Sequence, residues 1–387
     1  IEGDAAMTIK SVSEINEYVR TSVNPLATPD QLFELYSVPS FDSDYPEIVS
    51  GAEIGSAKVT VEEGDVLICK INPRINRVWV VRHNTDYPLL ASSEWIVVRS
   101  KNMNPHYLKW YFSSSSSRTL LTSQVTGIGG SLTRAQPKQV AKYPVPVPSR
   151  AEQDYIAGVL ERIDELLLKQ HQQTEKLDEL VKSRFIELFG DPLSNSKGWP
   201  CIVITDACRA IFGGGTPSKS HPEYFTGTVP WVSPKDMKSS VISDSIDHIT
   251  EEAIAHSTTN LVPAHSVLMV IRSGILKHTL PVATNSVPVT INQDMKAFVP
   301  NGVVTTAFLM HFFKAIEPDV LAGVRGVTAD NIDFKAFQKR TIIVPPMELQ
   351  EQFAAFVAQT DKSKLAVQQG LKELEILKKS LMQQYFG

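Results

Sequence analysis

The chain has 387 residues, 42% of them hydrophobic and 21% charged, with a formal net charge of −4. That composition supports a packed core and excludes global disorder, and the length suggests two domains or three. The charge provides no global basic field, so any contact with nucleic acid must rest on local patches. Cys69, Cys201 and Cys208 are too few for a disulfide framework and contain no CxxC pair, which points to a reducing, cytoplasmic setting. No apolar run reaches the roughly 18 residues of a transmembrane helix. The opening residues Ile1 to Ala6 read as a non-native extension, with Met7 as the native start.

The first segment, 7–147, mixes short β-branched runs (Val78 to Val81, Trp95 to Val98) with a helical stretch from Pro105 to Phe112. The serine run Ser113 to Ser117 reads as a surface loop. No acid lies between Asp65 and Asp86, whereas Lys70, Arg74, Arg77, Arg82 and His83 do. Asn72 and Asn76 interleave with these cations. Amides can read base edges, while Arg and Lys contact phosphate or guanine. Arg134 is a further candidate in this segment.

Pro144, Pro146 and Pro148 end the first segment, and a proline-free stretch then runs to Gly190. Proline is tolerated before a helix but not inside it, and glycine is favoured just past a helix end. Ile156, Leu160, Ile163, Leu167, Leu177 and Val181 step by three and four, with Gln170 and Thr174 filling the gap, which is coiled-coil spacing. About 40 residues at 1.5 Å each give a helix of roughly 60 Å, and one apolar stripe on it needs a partner.

The second segment, 191–344, repeats the mixed pattern, with a helical stretch from Thr305 to Ala315 and a β run from Ile342 to Val344. No acid lies between Glu252 and Asp294, whereas Arg272, Lys277, His256, His265 and His278 do, along with Ser273 and Thr279. The loop Gly213 to Ser220 invites a phosphate reading through Gly214, Gly215, Thr216, Ser218 and Lys219. It is no P-loop, because Ser218 replaces the glycine before the lysine and Pro217 removes a donor. It reads as either a loop close to a DNA backbone or a structural turn. Lys235 and Arg325 complete the candidate DNA contacts. Asp319, Asp333 and Lys335 have the loose shape of a metal-dependent nuclease site, an alternative reading, and a scaffold whose globules bind proteins and no DNA is another. The sequence has no HExxH, no GxSxG and no zinc-spaced Cys/His cluster, and no cofactor or metal is expected.

The second long helix follows Pro345 and Pro346 and runs to Gly387, with Phe353, Val357, Thr360, Val367, Leu371, Leu374 and Leu381 in its seam. It duplicates the first. At an offset of 197, thirteen identities fall within 44 ungapped residues, from Val147-Pro148 on Val344-Pro345 to Phe189-Gly190 on Phe386-Gly387. The preceding segments align weakly at an offset of 201, with Val66-Leu67 on Val267-Leu268 and Tyr107 to Phe112 on Phe308 to Phe313. The expected fold is α+β (mixed α/β): two globular domains, 7–147 and 191–344, separated by two long helices, 148–190 and 345–387. The helices pair as an antiparallel coiled coil with internal pseudo-two-fold symmetry.

This plan resembles the specificity subunit of type I restriction–modification systems. The segment Glu34 to Asp42 and the segment Gly64 to Val81 resemble one common type of first target-recognition domain. Phe212 to Ser218, with Val229 to Lys238, resembles another type, and the twin stretches at Pro148 and Pro345 resemble the two spacer helices. The resemblance implies a non-catalytic reader of a split, asymmetric duplex target, one half-site per domain, with the helices setting the gap. It also implies adenine methyltransferase (modification) subunits and a motor-nuclease (restriction) subunit as partners.

Overall fold

The structure is a computed structural model and describes residues 8–123, 125–126, 133–324 and 330–387; Arg325 and residues 1–7 lie outside these. The chain divides into two compact units, Ile1–His171 with Gln369–Gly387, and Gln172–Gln368. Two 40-residue helices, Arg150–Phe189 and Met347–Phe386, each give one part to each unit. The divisions fall at Gln172 and Gln369, which are one position of the repeat at offset 197. Among the described residues no helix is long and apolar enough to cross a membrane.

In the first unit, Ile156, Leu160 and Ile163 of the first long helix are buried and Leu167 is half-buried. Opposite them Leu371, Leu374 and Leu381 are half-buried and Phe386 is buried. Asp164 pairs with Lys378, and Gln170 lies against Gly370, so the helices run antiparallel. In the second unit Asp178 pairs with Lys364 at 2.6 Å, while Phe353 meets Phe185 and Phe189 with ring centroids 5.4 and 5.5 Å apart. Here too the sense is antiparallel. Leu177 is half-buried, and Val181, Val357, Thr360 and Val367 are buried. Residues at alternating steps of three and four fall on one stripe, and that stripe is the buried one in both units.

Each head contains its own ladder of the same pattern. In the first unit Val66–Cys69 lies between Val78–Val80 and Trp95–Val98. In the second, Val267–Val270 lies between Val282–Asn285 and Met295–Pro300. Both central strands are buried on every residue, which matches their unbroken apolar runs. The second ladder is extended by Cys208–Gly213 and Val241–Ile242 into five strands, while the first head carries a separate five-stranded sheet. Each head is closed by an antiparallel pair that leads into a long helix, Thr8–Ser11 with Pro144–Val147 and Cys201–Val203 with Thr341–Ile343.

The serine run is not a surface loop. Ser113 ends the helix Pro105–Ser113, Ser115 begins the helix Ser115–Ser123, and Ser114 and Ser117 are 2% and 1% exposed. The Ser114 hydroxyl accepts from the Ser117 backbone N–H at 3.2 Å, and the Ser116 hydroxyl donates to the Phe386 carbonyl at 2.6 Å. Serine caps helix ends well, so a run of it marks a helix start here rather than disorder.

Candidate nucleic-acid interface

In the first head the basic window leaves strand Val66–Cys69 and turns at Pro73. Asn72 and Asn76 take left-handed backbone, with φ of 47° and 51°, a conformation asparagine tolerates better than most side chains. The Asn76 amide also donates to the Phe112 carbonyl at 3.0 Å. Both asparagines therefore have a local structural role. The window is latched to a distant segment: Asn72 N–H donates to the Thr133 carbonyl and Ala135 N–H to the Lys70 carbonyl, both at 2.9 Å, with Ile71 bridging Arg134. This latch brings Lys70, Asn72, Arg74 and Arg134 together.

Their charges are not equivalent. Arg134 is paired with Glu94 at 3.0 Å. Among the described residues Lys70, Arg74 and Arg77 have no carboxylate at ion-pair distance, and Arg74 is exposed. Burial pushes the Lys70 ammonium below the usual lysine value; the carboxylate of Glu94 opposes this, and Arg20 and Arg134 add to it. An uncompensated, partly desolvated cation of this kind gains most from an incoming phosphate or base edge.

The second head repeats the latch at the same places. Ser273 N–H donates to the Asp330 carbonyl at 3.1 Å and Ile332 N–H to the Ile271 carbonyl at 2.9 Å, with Arg272 bridging Asn331. The window side of the latch is offset by 201 and the far side by 197, as in the repeat. Its cations, however, are largely compensated. Arg272 Nε meets Asp294 at 2.6 Å, Lys277 lies 3.9 Å from Asp330, and Lys235 meets Asp247 at 2.6 Å. Arg325 lies outside the described residues.

The glycine loop has a packing explanation. A Cβ at Gly214 would lie 1.7 Å from the Asn292 carbonyl oxygen, and one at Gly215 would lie 2.4 Å from Thr258 Oγ1. Gly215 N–H donates to the Ile291 carbonyl at 3.1 Å, and Trp231 Nε1 donates to the Gly215 carbonyl at 3.0 Å. Thr216 bonds to Gln293, while Ser218 and Lys219 are exposed. The loop is thus pinned at its start and open at its tip.

The residues of the nuclease reading have other tasks. Asp319 pairs with Arg340, and Asp333 caps the helix Phe334–Phe337 by accepting from Ala336 N–H at 3.0 Å. Among the described residues no group of three or more His, Cys, Asp or Glu is placed to hold a metal ion.

Arg118 went unnoticed in the sequence, because it follows the serine run read as a loop. On the helix Ser115–Ser123 it faces a cleft of about 410 Å³ shared with Pro73, Arg74 and Thr133.

A family model described as the type I restriction modification DNA specificity domain matches residues 196–376. The specificity subunit of the type I restriction enzyme EcoR124I/EcoR124II from Escherichia coli is 32% identical over 255 residues, 62% of this chain and 60% of that protein. The MjaIX specificity subunit from Methanocaldococcus jannaschii is 28% identical over 188 residues, 47% of this chain and 42% of that protein. The chain thus spans less than two thirds of the length of these relatives. Among solved structures, a chain from a study of complex assembly and conformational transition of a type I R-M system matches with a TM-score of 0.61 at 17% identity, covering 100% of this chain and 99% of that one. The S subunit of a type I restriction–modification system from M. genitalium matches with a TM-score of 0.57 at 12% identity, covering 99% and 96%. At these identities the structural likeness shows the fold alone, and that fold is the α+β plan of two heads and paired long helices.

Proposed function

We propose that the chain is a specificity subunit of the type I restriction–modification family and that it recognises a split, asymmetric DNA target, one half-site per head. The heads are residues 7–147 and 191–344. The spacer helices, 148–190 and 345–387, fix the gap between half-sites. The observation that carries this reading is the duplicated latch. Lys70 to Asn72 on Thr133 to Ala135, and Ile271 to Ser273 on Asp330 to Ile332, hold a basic window at the same place in both heads. Two related but unlike heads read two unlike half-sites, in contrast to the palindrome of a homodimer.

The chain carries no catalysis of its own in this reading. Modification subunits supply adenine methylation, and a motor-nuclease subunit joins them for cleavage. Repeat-equivalent exposed leucines support two copies of one docking partner. The first unit carries Leu168 and Leu377, the second Leu365 and Leu180, and each is between 47% and 68% exposed. Partner subunits would also supply the phosphate neutralisation that a net charge of −4 cannot.

Mapping methylated adenines in a genome that carries the assembled system tests the reading. The expected result is two short, different sequence blocks separated by a fixed gap. A continuous or palindromic target would defeat it. Removing seven residues from each long helix at equivalent positions, around Gln170 and Val367, should change the gap and leave both blocks intact.

A further inference from the structure

We propose that the cleft between Arg74 and Arg118 in the first head is a phosphate clamp that holds the DNA backbone and does not read bases; this rests on the DNA-recognition reading above. Arg74 leaves the Pro73 turn and Arg118 the helix Ser115–Ser123, so two separate elements contribute arginines to the lining of one concavity. Both are exposed, and among the described residues neither has a carboxylate at ion-pair distance. In the second head Arg272, Lys277 and Lys235 each have one, and the exposed Lys219 at the tip of the glycine loop has none among the described residues. Two uncompensated guanidinium groups facing one cleft repel each other, and a bound anion relieves that.

The lining is chemically suited to phosphate. Thr119, Thr122 and Thr133 also line it; the Thr119 and Thr122 hydroxyls donate to the Ser115 and Arg118 carbonyls, both at 2.9 Å. Thr133 is 8% exposed, and among the described residues its buried hydroxyl has no hydrogen-bond partner, although its backbone carbonyl is latched to Asn72. A buried hydroxyl without a partner is costly and indicates a group supplied from outside. Among the described residues no amide lines the cleft. Guanidinium donors can fix register on a backbone, and the half-site comparison below separates that role from guanine readout.

The clamp belongs to one head only. At the offset of 201, Arg74 corresponds to Ile275 and Arg118 to Asp319, which is committed to Arg340. The first head therefore grips phosphate at a place where the second has an apolar residue and a carboxylate.

The test uses the full chain assembled with its modification subunits on a labelled target duplex, with affinity measured from 50 to 200 mM salt. Arg118→Gln should weaken binding about fivefold at the middle of that range and make the plot of log K against log salt shallower by about 0.9. The loss should be equal on the target and on duplexes altered in the first half-site. Arg118→Lys should restore most of the slope, because a point charge still meets phosphate. Arg162→Gln, on the exposed face of a long helix, should change neither quantity. Arg118 is exposed, so the fold should survive both changes.

Unchanged affinity and slope in Arg118→Gln, with wild-type assembly binding, would remove the clamp and leave the DNA reading standing. A loss confined to one first-half-site sequence would make Arg118 a base reader and overturn the assignment. Tight calorimetric binding of inorganic phosphate to the wild-type chain, with duplex binding indifferent to Arg118→Gln, would make the cleft a free-anion site instead. A wild-type assembly that protects no duplex at all would sink the DNA reading, and the clamp with it.

Discussion

Gln153 and Gln350 stand 197 residues apart and make the same two hydrogen bonds inside their respective units. Gln153 Oε1 accepts from Asn104 N–H and its Nε2 donates to the Pro148 carbonyl, both at 2.9 Å. Gln350 Oε1 accepts from Thr305 N–H and its Nε2 donates to the Pro345 carbonyl, again at 2.9 Å. Both side chains are at most 1% exposed. Asn104 and Thr305 cap the helices Pro105–Ser113 and Thr306–Ala315. A single buried amide thus ties the first turn of each long helix to the cap of the helix beneath it.

Replacing Gln350 with leucine should leave a buried N–H and a buried carbonyl without partners, at about 1–3 kcal/mol for each group. The cost should appear locally. Hydrogen exchange at the Thr305 amide should accelerate, while the Asn104 amide in the other unit stays protected. Gln153→Leu should give the mirror result. Unchanged exchange at both amides would mean that these bonds do not support the helix junctions.

The glycine loop can be tested for what it is for. Gly214→Ala would place a Cβ 1.7 Å from a backbone carbonyl oxygen, so the loop or the Asn292 segment must move. Overpacking of this kind costs about 1–3 kcal/mol. Thermal unfolding of the second head, followed by Trp231, whose indole N–H donates to Gly215, should shift to lower temperature. If the glycines served only close approach to DNA, the unfolding temperature would hold and only duplex affinity would fall.

The duplicated architecture was legible because periodicity and repetition are properties of the chain itself. The offset of 197 located both helices, which end at Phe189 and Phe386, one residue before the glycines expected to stop them. The weak match of Val66-Leu67 with Val267-Leu268 marked the central strands of equivalent ladders. Charge compensation was less visible. Arg272 lies in a window free of acids in sequence, yet Asp294 at the window's edge reaches its guanidinium through the fold. Asn72 and Asn76 are candidate base readers by residue type, and the left-handed backbone that gives them a second, structural reason to be asparagine is set by the turn at Pro73. Arg118 was hidden by a serine run whose capping role depends on the helix it starts.

Acid should weaken the second head through His311. Its ring stands edge-on to Phe353 at 5.2 Å, and its buried Nε2 has no hydrogen-bond partner among the described residues. Burial first, then Lys314 and Lys364, hold its pKa down to about 3. In the unfolded chain the imidazole takes a proton near 6.5. Between those values the unfolded state binds more protons, so stability is present at neutral pH and is lost as pH falls below about 6.5. The loss should approach about 1.4 kcal/mol per pH unit and level off near pH 3. Urea unfolding at pH 7 and pH 5 should show a smaller difference for His311→Phe than for the wild-type chain. Equal differences would mean that the imidazole is already protonated in the folded head.

The exposed leucines carry the last prediction. Leu168 and Leu377 are 59% and 47% exposed, and their repeat equivalents Leu365 and Leu180 are 68% and 49% exposed. Each unit holds one leucine from each long helix, outside the buried seam. Burying such a side chain against a partner is worth about 1.5–3 kcal/mol, so one pair changes affinity by roughly a hundredfold to ten-thousandfold. Leu168→Glu with Leu377→Glu should therefore release one copy of the docking partner, and Leu180→Glu with Leu365→Glu should release the other. The mass of the assembly should fall by one partner in either double variant and by two when all four are changed. The isolated chain should unfold at its usual temperature throughout, because exposed substitutions away from the seam cost little. A full assembly that survives all four glutamates would place docking elsewhere on the chain.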